Sequence, residues 1–369
     1  MQYLPLGRTG FSVCRLGFGG IPIFDGSPMG TLSEAEAIRL LRQAFDLGIN
    51  YVDTAISYGD SEVRIGRALK GGYRDRVFVA TKTYIKNVDD PPAQFAADVD
   101  SSLARLDVDC IDCYQIHYID RNGEWAYRDG GVIEVMRRAQ EQGKIRFLGV
   151  TGHEPAPLIE AVKTGEFVLA LFPYSPINRA NEPDLLPLCA ELGVATVIMK
   201  PVAGGILATG HDIKHLLPPE QHLSTMALRF VLSNPHVTLA CPGMDSLAEV
   251  QENLSVIAGD EVAPLTPAEE DVVACVAEAL GPRPCRHCGY CHDVCPVGLR
   301  NADIFRLYQY LLAYDLGTYA REQYALLEHR ADECLDCGAC EKKCPYRIPI
   351  RERHAQAHEA LSTARRSSG

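Results

Sequence analysis

The sequence predicts an α/β protein in two parts, a (β/α)8 TIM barrel followed by a small, largely helical C-terminal domain. Three observations carry that expectation. Short apolar, β-branched runs alternate with helical patterns from Leu16 to about Ile257, the alternation then stops, and eight of the fourteen cysteines fall after Pro284. Alternation of this kind is how strand-helix repeats around a parallel sheet read in sequence. At 369 residues the chain has room for one large domain and one small one.

Eight strand candidates stand out, at residues 15–19, 51–53, 77–81, 111–117, 145–150, 169–172, 195–199 and 237–240. Residues 33–47 read as a helix, because Ser33 with Glu36 three positions on has the spacing of a capping box. Eight units match the usual barrel of about 250 residues, although an open doubly wound sheet would share most of the pattern. The expected division is a barrel over 1–258, a linker with one helix over 259–280, and a second domain over 281–369. The linker helix should begin at Thr266-Pro267, where proline suits a first helical position. Within the second domain, residues 301–327 read as one or two inserted helices, and the tail from Arg351 as a helix that frays into a Ser-rich end.

A formal net charge of −12, with acidic residues spread along the chain, argues against nucleic acid or anionic lipid as a partner. No apolar stretch is long enough to span a bilayer, and residues 1–10 lack a basic segment leading into an apolar run, so a cytoplasmic location without a membrane partner is expected. In a reducing compartment, fourteen cysteines should be thiols or metal ligands. Cys14, Cys110, Cys113, Cys189, Cys241 and Cys275 are scattered among apolar residues and read as small buried hydrophobes.

The other eight have a spacing of their own. Cys285, Cys288, Cys291 and Cys295 precede Pro296, and Cys334, Cys337, Cys340 and Cys344 precede Pro345. Each set is C-x2-C-x2-C-x3-C-P, the ferredoxin run in which three thiolates wrap one cubane and the fourth ligates the other. Two [4Fe-4S] clusters in a ferredoxin-like domain are therefore expected. Cys285, Cys288, Cys291 and Cys344 would hold one; Cys334, Cys337, Cys340 and Cys295 would hold the second. Two zinc sites are the competing reading, but zinc ribbons use separated C-x2-C pairs. His287 and His292 read as surface residues or neighbours of the ligands, and Gly289 and Gly338 as turn residues inside the loops.

Polar residues at three strand ends carry the catalytic reading. Asp53 ends the second candidate strand, with Tyr58 in the loop beyond; Lys82 ends the third and His117 the fourth. Strand C-termini of such a barrel converge on one mouth, where catalysis belongs. Together with Leu6-Gly7-Arg8-Thr9-Gly10, Asp53-Thr54-Ala55, Glu62-Val63-Arg64-Ile65-Gly66, Asp112, Pro242-Gly243 and Glu252-Asn253, these residues resemble the aldo/keto reductase family. With the cysteine motifs, the chain is similar to the branch that carries a C-terminal ferredoxin module.

That resemblance implies an NAD(P)H-dependent oxidoreductase that reduces an aldehyde or ketone to an alcohol, or runs the reverse, with Asp53, Tyr58, Lys82 and His117 as catalytic tetrad. The chemistry asks for an acid that protonates the forming alkoxide, which Tyr58 would supply. Lys82 is expected to lower the phenol's pKa from about 10 by favouring the phenolate, Asp53 to position Lys82, and His117 to orient the carbonyl oxygen.

The resemblance also sets NADPH or NADH across the late strands, against Lys200, Gly243, Glu252 and Asn253. Several positions depart from the family pattern. Asp245 and Glu249 stand where a basic residue often meets the 2′-phosphate, which brings NADH into consideration. Thr151-Gly152-His153 replaces a Ser-Asn pair, with Thr151 left to bond the carboxamide; Met199 stands in place of a stacking aromatic and Leu171 in place of a glutamine. Tyr84, Trp125 and Tyr127 are expected to be loop aromatics around the substrate.

Hydride carries two electrons and each cluster accepts one, so traffic between them would want a flavin, for which no fingerprint is present. The clusters are then structural, a docking point for a redox protein partner, or a control on the site. The alternative function is an iron-sulfur electron-transfer protein whose barrel binds a nicotinamide or partner, carbonyl reduction being secondary.

Overall fold

The computed structural model describes residues 1–25, 27, 32–85, 89–205, 207, 222–279, 285, 291–313, 317–344 and 348–362. They form two compact units, the first made of 1–204 with 222–265, the second including the chain from Thr266 onward.

The first unit opens with an antiparallel hairpin, β1 (Tyr3–Pro5) and β2 (Ser12–Cys14), outside the eight expected strands. Eight parallel strands then follow in chain order: β3 (Phe18–Gly19), β4 (Tyr51–Asp53), β5 (Phe78–Thr83), β6 (Ile111–Ile116), β7 (Ile145–Thr151), β8 (Leu169–Pro173), β9 (Ala195–Met199) and β10 (Leu239–Ala240). Parallel bridges Leu16 to Ala240 and Gly19 to Gly243 join the last strand to the first and close the barrel. Each expected strand overlaps an observed one. The first begins only at Phe18, its upstream residue Leu16 contributing the closing bridge instead.

Side chains alternate across a strand, so every second residue points inward. Tyr51, Phe78, Ala80, Cys113, Leu169, Leu171, Ala195, Val197 and Leu239 fill the interior, and Leu6 and Val13 of the hairpin segment join the same cluster. The alternate residues, Val52, Val79, Tyr114 and Ile198 among them, pack outward under the helices. Helix Glu34–Asp46 starts with Ser33 and Glu36 capping each other reciprocally and buries Ala37, Leu40, Leu41, Ala44 and Phe45, a helical stripe. Each fully buried leucine contributes roughly 1.5–3 kcal/mol.

Two carboxylates inside this shell are paired, as burial demands. Glu62 is fully buried and accepts from Thr81 Oγ1 at 2.7 Å and Arg105 Nε at 2.8 Å. Asp112 accepts from the Val79 amide and pairs with Arg74, both at 2.8 Å, and with Arg146 at 3.1 Å.

The second unit is helical. Helix Pro267–Ala279 begins where expected, with the Thr266 amide donating to Glu269 Oε2 at 2.8 Å and Glu269 donating back to Thr266 Oγ1 at 3.3 Å. The insertion forms two helices, Asn301–Ala313 and Gly317–Ala325, and the tail a third, Ile350–Ser362, packed against both. Ile304, Phe305 and Leu361 on these helices, with Leu299 and Ile348 just before them, share one core with Cys291, Cys340 and Cys344. No described helix is long and apolar enough to cross a membrane.

Candidate active site and cluster-binding motifs

Asp53, Lys82, Thr151 and Met199 are each the last inward-facing residue of their strand, in phase with interior residues Tyr51, Ala80, Phe147 and Val197. His117, one residue past β6, keeps the phase of Cys113 and Gln115. The C-terminal mouth is therefore lined by these five positions.

Lys82 is 2% exposed and bonds the Asp53 carboxylate through Oδ1; its ammonium also donates to the Thr54 carbonyl at 2.8 Å. Gln115 Nε2 donates to the other Asp53 oxygen at 2.7 Å. A charge this deeply desolvated persists only when paired and hydrogen-bonded, and both members of the pair are. Tyr58 stands over it, half-buried, with Lys82 Nζ 5.0 Å from its ring centre, within cation–π range. His117 meets the Tyr58 ring edge-on at 6.4 Å. The four expected catalytic residues are thus together.

The loop holding Tyr58 is tied at three points. Thr54 Oγ1 donates to Ser61 Oγ and Ser61 Oγ to the Gly20 carbonyl, each at 2.8 Å, and Arg105 bonds the Gly59 carbonyl. Gly59 has φ +44°, and a Cβ there would lie 2.8 Å from the Phe24 ring.

The electrostatics differ from expectation in sign. Burial, with the Asp53 carboxylate and the Cys241 thiol adding to it, pushes the Tyr58 phenol well above the ordinary tyrosine range. The Lys82 charge, expected to lower it, is already matched by Asp53. The neutral phenol is therefore the favoured form at this site.

Sequence reading missed Gln115, whose only signal was a polar residue two positions before His117 on the same face. It also missed Tyr118. The Tyr118 backbone is left-handed at φ +60°, a strain of order 1–3 kcal/mol for a residue with a Cβ. Its ring is stacked between His117 at 3.9 Å and His153 at 5.6 Å, and its amide donates to Thr151 Oγ1 at 3.3 Å. Of the expected loop aromatics, Tyr84 fits, its ring 6.1 Å from His117. Trp125 and Tyr127 are not loop residues: they lie on helix Ile119–Tyr127, where Trp125 stacks under the Arg128 guanidinium at 3.8 Å. This helix starts from the left-handed Tyr118 without a side-chain cap bond.

The remaining nucleotide positions are spread along the rim. Lys200, left-handed at φ +55°, places Nζ 3.3 Å from His153 Nε2. Gly243 is bridged to Gly19, and a Cβ there would meet Pro22 at 2.7 Å. Glu249, in the first turn of helix Leu247–Ser255, accepts from the Asp245 amide at 2.9 Å, while Glu252 accepts from Ser224 Oγ at 2.8 Å and Asn253 is buried. Leu171 is packed in the barrel interior.

Three comparisons bear on this geometry. Residues 15–222, more than half of the chain, match the model of the aldo/keto reductase family. The chain belongs to the aldo/keto reductase family. It is 30% identical over 283 residues to the L-galactose dehydrogenase of Arabidopsis thaliana, a match covering 68% of this chain and 86% of that protein. Among solved structures it is similar to the holo form of aldo-keto reductase AKR11C1 from Bacillus halodurans, with TM-score 0.62, 29% identity, and 76% of this chain and 97% of that one covered. It is also similar to the thermostable aldo-keto reductase Tm1743 in complex with the inhibitor epalrestat, with TM-score 0.61, 27% identity, and coverage of 75% and 100%. Residues 284–349 match the 4Fe-4S dicluster domain. The chain is therefore a family oxidoreductase with an attached iron-sulfur domain.

In that domain Cys288, His287 and Gly289 lie outside the described residues. Cys295, Cys334, Cys337 and Cys340 line one small cavity, together with Leu299, Asn301, Gly338 and His354. The left-handed turns at Asp336, φ +54°, and Gly338, φ +70°, curl the chain between these cysteines. The Leu299 amide donates to Cys295 Sγ at 3.3 Å, the kind of bond that stabilises a cluster thiolate. Burial pushes the Cys291 thiol up, with the neighbouring Cys344 adding to the rise. Cys285 packs on the same core. This donor set fits a cluster enclosed by thiolates. His292 accepts the Ala302 amide at 3.0 Å, in the first turn of helix Asn301–Ala313.

Proposed function

We propose that the barrel interconverts a carbonyl, aldehyde or ketone, and its alcohol with a nicotinamide dinucleotide, and that the second unit carries two [4Fe-4S] clusters. The observation that carries the catalytic reading is the Lys82–Asp53 pair buried beneath the Tyr58 ring with His117 edge-on beside it.

The chemistry that a reduced nicotinamide would supply, when bound, is hydride for the carbonyl carbon. Tyr58 donates its proton to the carbonyl oxygen as negative charge develops there. Lys82 then faces the phenolate left behind, and Asp53 with Gln115 keeps Lys82 from turning away. His117 donates to the same oxygen and fixes its approach, and the Tyr118 stack fixes His117. Thr151, Met199, Lys200, Gly243, Glu249, Glu252 and Asn253 would hold the dinucleotide along the rim. The clusters would divide as the ferredoxin run requires, Cys285, Cys288, Cys291 and Cys344 against Cys334, Cys337, Cys340 and Cys295.

The test follows nicotinamide absorbance with a panel of small aldehydes and, given the L-galactose dehydrogenase relative, of aldoses including L-galactose. Tyr58→Phe should lose about 10²–10⁴-fold in turnover with cluster absorption unchanged, the usual worth of a positioned acid. Equal turnover in that variant rejects the assignment. A second reading, electron transfer by the clusters with the barrel as docking domain, is favoured by the dicluster match alone. It requires that reduced clusters pass electrons to a redox protein in a Tyr58→Phe variant as fast as in the parent.

A further inference from the structure

His354 lies on helix Ile350–Ser362, ten residues past the last cysteine of the second run, and is 2% exposed. Neither ring nitrogen has a hydrogen-bond partner among the described residues. Leaving a buried polar group unsatisfied is costly, so a chain that places two such atoms in an apolar core has something else to meet them. The ring packs against Phe305, centroids 5.3 Å apart, which holds its plane. It lines the same cavity as Cys295, Cys334, Cys337 and Cys340. Asn301, fully buried, lines it too, with its side chain bonded to the Cys291 thiol.

The geometry points to His354 as an N–H donor to the cluster held by Cys295, Cys334, Cys337 and Cys340, a residue that raises the reduction potential of that cluster and not of the other. The four cysteines complete the iron ligation, so the imidazole is not needed as a ligand. A neutral imidazole carries one N–H donor. One-electron reduction adds a negative charge shared over the cluster sulfurs, and a donor aimed at them stabilises the reduced state more than the oxidised one. Losing a bond of this strength changes the reduction equilibrium by about tenfold, or ~59 mV for a one-electron couple.

The inference rests on the proposal that two clusters are present, and the test separates the two. Full-length protein is reconstituted anaerobically, iron and sulfide are counted, and the clusters are titrated with a one-electron reductant under EPR. His354→Phe, which keeps an aromatic beside Phe305 and removes the donor, should lower one midpoint by the amount above and leave the other unmoved. His354→Gln, which retains an N–H, should return part of the shift. Iron and sulfide for fewer than two clusters in the parent protein rejects the cluster reading and this inference with it. Two clusters with unmoved midpoints in His354→Phe, or both midpoints shifted alike, rejects the inference alone. Where His354→Phe fails to retain both clusters, hyperfine spectra of the unmutated protein labelled with ¹⁵N-histidine decide: weak imidazole nitrogen coupling to one reduced cluster supports the donor, and its absence overturns it.

Discussion

Lys82 is bonded to Asp53 inside the barrel wall, and this pair, not a lone ammonium, is what the Tyr58 ring rests on. The pair should be unforgiving when broken on one side. Lys82→Met leaves a buried carboxylate answered, among the described residues, by Gln115 alone, and breaking a buried pair in this way costs about 3–5 kcal/mol. The double variant Lys82→Met with Asp53→Asn removes both charges and should recover much of that loss. Denaturant midpoints of the barrel transition for the two single variants and the double variant measure the coupling; additive losses would contradict it.

The raised phenol sets the pH dependence. Tyr58 must be protonated to donate, so reduction is expected to hold level as pH rises and to fall only above the ordinary tyrosine range, since burial and Asp53 both favour the neutral form. Asp53→Asn removes one of those causes and leaves the Lys82 ammonium unmatched beside the ring. Both changes favour the phenolate. The alkaline limb of kcat/KM should therefore move to lower pH in Asp53→Asn, whatever the absolute rate, and an alkaline limb in the same place would show that Asp53 does not act on Tyr58.

Gly66 tests how tightly the scaffold is set. In helix Ser61–Ala68, glycine is worse than alanine by about 1 kcal/mol on propensity alone. A Cβ at this position, however, would lie 2.2 Å from the Leu106 carbonyl oxygen, a backbone atom at the end of helix Pro91–Leu106 that has no freedom to move aside. Overpacking of this kind costs about 1–3 kcal/mol or more, so the steric effect wins and Gly66→Ala should lower the denaturant midpoint. A stabilised variant would mean that the two helices can slide apart freely.

The barrel was legible because its strands are buried on both faces and read as short apolar runs, and the grouping of Asp53, Lys82 and His117 at one mouth because polar side chains end or follow those runs. What escaped was short or ordinary in composition. Tyr3–Pro5 and Ser12–Cys14 are three residues each, one ending in proline, too brief to show a period. Gln115 looks like any polar residue until Asp53 is seen beside it. The sign at Tyr58 was out of reach for a different reason: it depends on where the Lys82 charge is spent, which is a distance and not a spacing. His354 sits on a helix rich in charged and polar residues, where a histidine reads as solvated surface, and only burial sets it apart.

A preference between the dinucleotides is expected from the helix that begins at Leu247. A phosphate near a helix N-terminus ordinarily gains from the free amides and the positive end of the dipole. Here the Asp245 amide is already taken by Glu249 Oε2 at 2.9 Å and the Glu249 amide by Ser246 Oγ at 3.3 Å. If the dinucleotide takes the proposed path along the rim, its 2′-phosphate would meet two carboxylates, Asp245 and Glu249, and repulsion would be added to the loss of donors. A ribose with a free 2′-hydroxyl meets neither penalty and can donate to a carboxylate. NADH should therefore be used at least about tenfold more efficiently than NADPH in kcat/KM, equivalent to about 1.4 kcal/mol. Asp245→Arg, which replaces repulsion by a cationic partner and keeps the amide bonded to Glu249, should narrow or invert that ratio with the NADH value changed little. Initial rates with both dinucleotides at low ionic strength measure it, and a parent enzyme that prefers NADPH would show that the dinucleotide does not pass over this turn.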